Sequence, residues 1–211
     1  MRTWFKILGW AFGVPGAILL VLYIGFFDVW RVPVDDPMLA ASIEPTLSAG
    51  DLVVVTRRTE VSRGNLLRCA DPQAPGRFVV ARAIGRSGDK VDVAAEVVAI
   101  DGKRMPSPRA CEPAQTLIHD PQSNTDEALA CSVEDYGDVT FGALRSVDHP
   151  EAPTKATVEP GTWFLLSDDR HVHVDSRDFG AIDPASCQHI VFRVVSAAGY
   201  SDANKRLTII W

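Results

Sequence analysis

Hydrophobic and polar positions divide this chain into two unlike stretches. From Ile7 to Phe27 the sequence ILGWAFGVPGAILLVLYIGFF carries no charged residue. At 1.5 Å per helical residue that run spans about 30 Å, the thickness of a bilayer's hydrocarbon core. The apolar part of a cleaved leader is shorter, about 7 to 15 residues. The pattern therefore predicts one uncleaved transmembrane signal anchor within residues 1–30, with a cleaved leader as the alternative. Beyond it, apolar residues come in short runs broken by Gly, Pro and Asp. These runs predict strands at Asp51–Arg57, Asn65–Cys69, Arg77–Ile84, Lys90–Val93, Glu96–Ile100, Trp163–Ser167 and Ile190–Ser196. Asp101-Gly102, following Val97-Val98-Ala99-Ile100, is a hairpin signal. No helical period is sustained after the anchor, so the body, residues 31–211, is expected to be mostly β. Residues from about 104 to 158 are rich in Pro, Ser, Asp and Glu and weakly periodic, which predicts an inserted smaller subdomain.

Charge orients the anchor. Arg2 and Lys6 precede it, and Asp28 and then Arg31 follow. By the positive-inside rule the N-terminus is cytoplasmic and residues 28–211 face outside the plasma (inner) membrane. Trp4, Phe5, Phe27 and Trp30 fall where interfacial aromatics belong, and Pro15 is tolerated within such a helix. Over all 211 residues the chain is 46% hydrophobic with a formal net charge of -6. That composition excludes collagenous, coiled-coil and wholly disordered chains, and the acidic balance argues against nucleic-acid binding. An external body permits disulfides. Cys69, Cys111, Cys131 and Cys187 allow three pairings. Cys111 and Cys131 share one irregular stretch and form the favoured bridge, four buried thiols being the alternative. No Cys/His spacing suggests zinc, and no nucleotide or haem motif occurs, so neither metal nor cofactor is expected.

Three segments carry candidate chemistry. Ser42-Ile43-Glu44-Pro45-Thr46-Leu47 leads through Ala49-Gly50-Asp51 into a strand. Arg63-Gly64-Asn65 precedes Val79-Val80-Ala81-Arg82-Ala83-Ile84-Gly85 and Ser87-Gly88-Asp89-Lys90-Val91. Ser167-Asp168-Asp169-Arg170 runs on through His173, Asp175, Ser176, Arg177 and Phe179-Gly180. Together these blocks resemble the type I signal peptidases, membrane-anchored serine proteases that remove signal peptides from exported preproteins. The nucleophile motif Ser-Met-x-Pro-Thr-Leu is matched with Ile43 for Met. Arg-Gly-Asp is matched by Arg63-Gly64-Asn65, and Lys-Arg-x-x-Gly-x-x-Gly-Asp-x-Val by Ala81 through Val91. Gly-Asp-Asn-Arg-x-x-Ser-x-Asp-Ser-Arg-x-x-Gly is matched by Ser167 through Gly180. The order of the blocks agrees, and the resemblance covers nearly the whole chain.

The resemblance implies a signal-peptidase-like β body, preprotein signal peptides and membrane lipid as partners, and cleavage after small residues such as Ala-x-Ala. It also implies a Ser-Lys dyad, in which Ser42 attacks the scissile carbonyl and a buried, neutral lysine takes its proton. Two departures stand against that chemistry. The lysine position is Ala81, with the register fixed by Arg82, whose guanidinium stays protonated and cannot act as base. Ala40 lacks the hydroxyl that some members offer to the oxyanion. One substitute is visible: His173 occupies the position of the serine that contacts the family's lysine, and Asp175 stands two residues on. A Ser42–His173–Asp175 arrangement is one expectation. A base from elsewhere, or no base, are the others. In the last two cases Asp175 only pairs with Arg177, and His173 is a solvated loop residue.

The leading expectation is thus a membrane-anchored serine endopeptidase, with Arg82, Asp168 and Arg177 structural near the site. The rival is an inactive relative that binds signal peptides or a peptidase partner without cutting, and a third reading is a specialised maturation enzyme. His171 is expected to be exposed, and His119, His149 and His189 sit in no motif. Asp168 and Asp169 are expected to cap a turn and hold Arg170, and Lys90 to be a hairpin residue. Leu39, Ile43 and Val172 could line a substrate groove or pack in the core, and Met38-Leu39 could dip into the outer leaflet.

Overall fold

A computed structural model describes residues 13–17, 21, 25–57, 60–94, 97–149 and 151–210. The expected anchor falls largely outside these residues. Within it, residues 13–17, 21 and 25–26 are helical, and among the described residues no helix is long and apolar enough to cross a membrane. The rest is mostly β, with 47% of residues in strands.

The main sheet runs in the order β1 (Phe27–Arg31), β2 (Leu52–Thr56), β13 (Cys187–Val195), β3 (Leu66–Ala70), β4 (Phe78–Arg86), β12 (Trp163–Leu166), and β14 (Thr208–Ile209) pairs with β13. All its pairings are antiparallel. β5 (Lys90–Ala94), β6 (Val97–Ile100), β7 (Lys103–Arg104) and β11 (Thr154–Thr157) make a second sheet. β8 (Arg109–Asp120), β9 (Thr125–Asp135) and β10 (Thr140–Arg145) make a third. Each predicted strand has a counterpart. The stretch expected to form an insertion is divided: residues 109–145 have their own sheet, while β7 and β11 complete the sheet of β5 and β6. Phe27, read as the end of the anchor, opens the edge strand β1.

β4 joins the layers. It is long and buried on both faces, and at Gly85 a Cβ would collide with Val91 and Val158, so only glycine lets the next sheet pack there. One apolar cluster, including Val53, Val55, Leu66, Val80 and Ile190, lies under the helix α1 (Pro37–Ser42). Another, around Leu67, Val79, Ala83 and Leu165, lies on the opposite face, beside the single-turn α2 (Ser176–Phe179). Two disulfides form, Cys69–Cys187 between β3 and β13 and Cys111–Cys131 between β8 and β9.

Candidate active site

α1 carries Ser42. The Asp36 side chain caps it by accepting a hydrogen bond from Leu39 N at 3.1 Å, and Pro37 supplies a helix-ready φ at the first position. Leu39, with Ile43 and Leu47 just beyond, packs on the main sheet. Ala41 faces Ile118, Leu129, Cys131, Leu144 and Val172. Leu39, Ile43 and Val172 are therefore core residues, and Leu39, at 3% exposure, is not a lipid contact. Ser42 itself is 0% exposed. Its Oγ donates to Leu39 O at 2.9 Å, and its carbonyl accepts from Asp169 N at 3.1 Å.

Arg82 and Asp168 are brought together. Arg82 Nε lies 3.1 Å from Asp168 Oδ1, Nη2 donates to Thr46 Oγ1 at 3.2 Å, and Nη1 donates to Gly64 O at 2.8 Å. The guanidinium also stacks over Phe141, 4.2 Å from the ring centroid. Thr46 Oγ1 donates to Asp168, so one residue of the serine block and three of the later blocks, Gly64, Arg82 and Asp168, form one closed network. Charge pairing with several hydrogen bonds is what permits burial of both ions here.

Ala81 points to the other face of β4, because successive strand residues alternate. It is fully buried among Leu67, Cys69, Val79, Ala83, Leu165 and Ile182, with Val174 and Phe179 packed alongside. Apolar side chains line the lysine position.

His173 Nδ1 lies 3.0 Å from Asp178 Oδ2 and 4.0 Å from Asp175 Oδ1, while Nε2 lies 3.6 Å from Glu151. Burial pushes the imidazole pKa down, but the hydrogen bond to the Asp178 carboxylate and the charge of Asp175 outweigh it, and the net shift is upward. Among the described residues no hydrogen bond joins His173 to Ser42. The nearest carboxylate to His173 is Asp178, not Asp175. Asp175 is taken up by Arg177, whose Nε and Nη2 lie 3.0 and 2.8 Å from its two oxygens, and by Ser167 N at 2.8 Å. Although burial opposes ionisation, Arg177 holds the Asp175 carboxyl at a pKa of about 2. Ligand atoms of His173, Asp175 and Asp178 all lie within 4.8 Å of one another, but the Arg177 fork already occupies both Asp175 oxygens. That engagement disfavours a cation.

Arg170 is held differently from the expectation. Neither neighbouring aspartate pairs with it; Glu134 of β9 does, at 2.7 Å, and Ser167 O accepts from its Nη1 at 2.9 Å. Glu134 also takes Arg145 at 2.8 Å and Tyr136 at 3.1 Å. Its two guanidinium partners keep it ionised against the cost of burial. Leu144 N donates to Asp168 O and Arg170 N to Leu144 O, lacing β10 to the loop. His171 is half-buried and pairs with Glu127 at 3.0 Å instead of facing solvent, because the β8–β9 hairpin folds over this loop. Lys90 is exposed, as a hairpin residue should be. Of the site residues that sequence reasoning missed, Thr46 was within reach, being part of the serine block. Glu134 lies in a stretch with no pattern to mark it.

The site is thus a serine at the end of a capped helical turn, beside a buried ion pair drawn from two later segments of a mostly β protein. The chain belongs to the signal peptidase family, peptidase S26, whose family model matches residues 6–195. Signal peptidase IB of Staphylococcus aureus (strain COL) is 27% identical over 183 residues, covering 84% of this chain and 83% of its own. Signal peptidase I of Bacillus licheniformis is 28% identical over 181 residues, covering 82% of this chain and 80% of its own. A crystal structure of a signal peptidase I from Enterococcus faecalis V583 covers 63% of this chain and 97% of its own at 20% identity, with a TM-score of 0.38.

Proposed function

We propose that this chain is a membrane-anchored serine endopeptidase that removes signal peptides after small residues on the outer face of the plasma membrane, with Ser42 as nucleophile. The observation that carries the reading is the intact brace around the serine turn. Thr46, four residues after Ser42, closes the Arg82–Asp168 pair, and Asp169 N holds the Ser42 carbonyl. Family membership and the order of the blocks support the substrate class. The uncharged run Ile7–Phe27, leading into the exposed Phe26, Phe27 and Val29, supports the anchor.

In this mechanism Ser42 Oγ attacks the scissile carbonyl carbon, and its proton passes to the base. The tetrahedral intermediate collapses as the base returns that proton to the departing amine, and water then cleaves the acyl-serine by the same route. The base assigned is His173, which must turn its Nε2 from Glu151 towards Ser42 when the preprotein enters. Arg177 and Asp175 hold the loop that carries it. The second reading, an inactive relative that binds signal peptides or a peptidase partner, is favoured by the Leu39 carbonyl on the serine hydroxyl and by the apolar surroundings of Ala81.

The test is cleavage of an Ala-x-Ala preprotein in detergent at pH 7 to 9. Processing should fall on the order of a thousandfold or more in Ser42→Ala and at least a hundredfold in His173→Ala. Processing untouched by His173→Ala removes that base. None by the unaltered chain, with tight retention of the signal peptide, establishes the binding relative.

A further inference from the structure

The third sheet touches the serine turn from both sides of Ser42 through one covalent element. Met38 and Ala41, before the serine, pack in the cluster that contains Cys111 and Cys131. Pro45, after it, meets the same bridge over Gly142 of β10. A Cβ placed on Gly142 would lie 3.1 Å from Pro45 Cγ, 3.2 Å from Cys111 Sγ and 3.3 Å from Cys131 Sγ. A side chain at this position would press the proline ring and the disulfide apart by a few tenths of an ångström.

The bridge also closes a gap in its own sheet. β8 and β9 are in register at Ala110–Ser132 and again from Gln115–Ala130. Residues 111–114 of β8 therefore face Cys131 alone on β9. Across this wide bulge the two strands have no ladder pairing to hold them, and the disulfide replaces it. The surface on which the serine turn rests is thus fixed by a covalent bond at the point where the sheet's hydrogen bonds fail.

We propose that the Cys111–Cys131 disulfide is the positioning element of the Ser42 turn, and that its reduction by a dithiol slackens that turn while the main sheet stays folded. Cys111 is half-buried and Cys131 is buried, so the thiolate attacks Cys111 Sγ and Cys131 leaves as thiolate. The second thiol of the reagent then releases Cys111 from the mixed disulfide. The protein gains two electrons and two protons, and the dithiol becomes a cyclic disulfide. The meaning of this device rests on Ser42 being the nucleophile, but its existence is measurable without turnover.

The experiment is amide hydrogen exchange on the full chain in detergent, oxidised against dithiothreitol-reduced, with Cys111→Ser/Cys131→Ser and Cys69→Ser/Cys187→Ser variants beside them. The Glu44 and Leu47 amides, which bond to Ala41 O at 3.2 Å and Ile43 O at 3.0 Å, should exchange at least tenfold faster in the reduced chain and in the first variant. Amides of β2 and β4 should keep their rates in both. The Cys69→Ser/Cys187→Ser chain should leave the Glu44 and Leu47 rates within twofold. Unchanged rates at Glu44 and Leu47 after reduction, or uniform acceleration across β2 and β4, overturn the proposal. Gly142→Ala keeps the disulfide and presses it against Pro45, and should alter the same two amides with an unchanged unfolding midpoint. No response there also counts against the proposal. In a cleaving chain kcat should fall about tenfold on reduction with KM within twofold, and a fall confined to KM would reject positioning. Absence of cleavage by the oxidised chain overturns the proteolytic reading alone.

Discussion

Two consecutive residues of β4 lead into two different kinds of environment. Arg82 turns towards α1 and enters a closed polar network with Asp168, Thr46 and the Gly64 carbonyl. Ala81 turns to the opposite face and packs among apolar side chains, Leu67, Val79, Leu165 and Phe179 among them. The first face supplies a buried ion pair that braces the serine turn. The second carries a methyl group where the resemblance placed an amine. The comparison teaches that the brace of the serine turn depends on one face of the strand and is independent of the residue that occupies position 81 on the other. The methyl group at position 81 is fully buried and packs within that apolar cluster.

The largest expected effect comes from breaking the polar face. Arg82→Ala leaves the Asp168 carboxylate buried and unpaired, and should lower stability by roughly 3–5 kcal/mol, read as a fall in the denaturant midpoint at constant slope. Arg82→Met with Asp168→Leu should recover most of that loss. If the single substitution costs less than about 1 kcal/mol, the two faces do not differ in the way described.

Ala81→Lys sharpens the contrast by placing an ammonium in the apolar face. Its folded-state pKa should drop well below the ordinary lysine value near 10.4. The sign follows from linkage: an amine whose pKa is depressed on folding destabilises below that folded value, and the penalty fades as pH rises towards 10.4. A loss of roughly 2–4 kcal/mol at pH 7 that shrinks by pH 10, by chemical denaturation at both, is the expected result. A pH-independent loss would mean that crowding by the longer side chain, not burial of the charge, sets the cost. If the unaltered chain does not cleave, preprotein cleavage gained by the same variant supports the inactive-relative reading and identifies the missing amine as its lesion.

The smallest effect concerns His189, which lies in the same cross-strand row as Ala81, through Leu67. Desolvation, and then the charge of Arg82, lower its pKa from 6.5 to about 4. The unfolded chain therefore binds the proton first as pH falls. Stability is full above pH 6.5 and is lost progressively down to about 4. After allowance for solvent screening at a half-buried ring, the change is roughly 1–2 kcal/mol. His189→Gln should flatten that part of the stability–pH curve, and an unaltered slope would show that burial and the Arg82 charge together do not depress the His189 pKa.

Legibility differed along the chain for physical reasons. Strands β2 to β6, β12 and β13 announce themselves because half- or fully buried strands need Val, Ile and Leu at period two or in short runs, and turns need Gly and Asp. The helix α1 escaped notice because six residues are too few to display a period. Glu134 escaped because the guanidiniums that it neutralises, Arg145 and Arg170, stand 11 and 36 residues along the chain and leave no adjacent cation to mark it. His171 was misread as exposed for the same reason, since its cover is the β8–β9 hairpin, far along the chain.

By itself the sequence determined the family, the mostly β body, the place of Ser42 ahead of a strand, and the absence of lysine at position 81. These are properties of residue type, order and short-range spacing. Tertiary structure alone decided that Arg82 and Ala81 serve different faces, that His173 bonds to Asp178 with no hydrogen bond to Ser42, and that a disulfide from the third sheet underlies the serine turn. Each of those depends on which strands are neighbours, and neighbouring strands are chosen by burial of the whole core, to which no single motif bears witness.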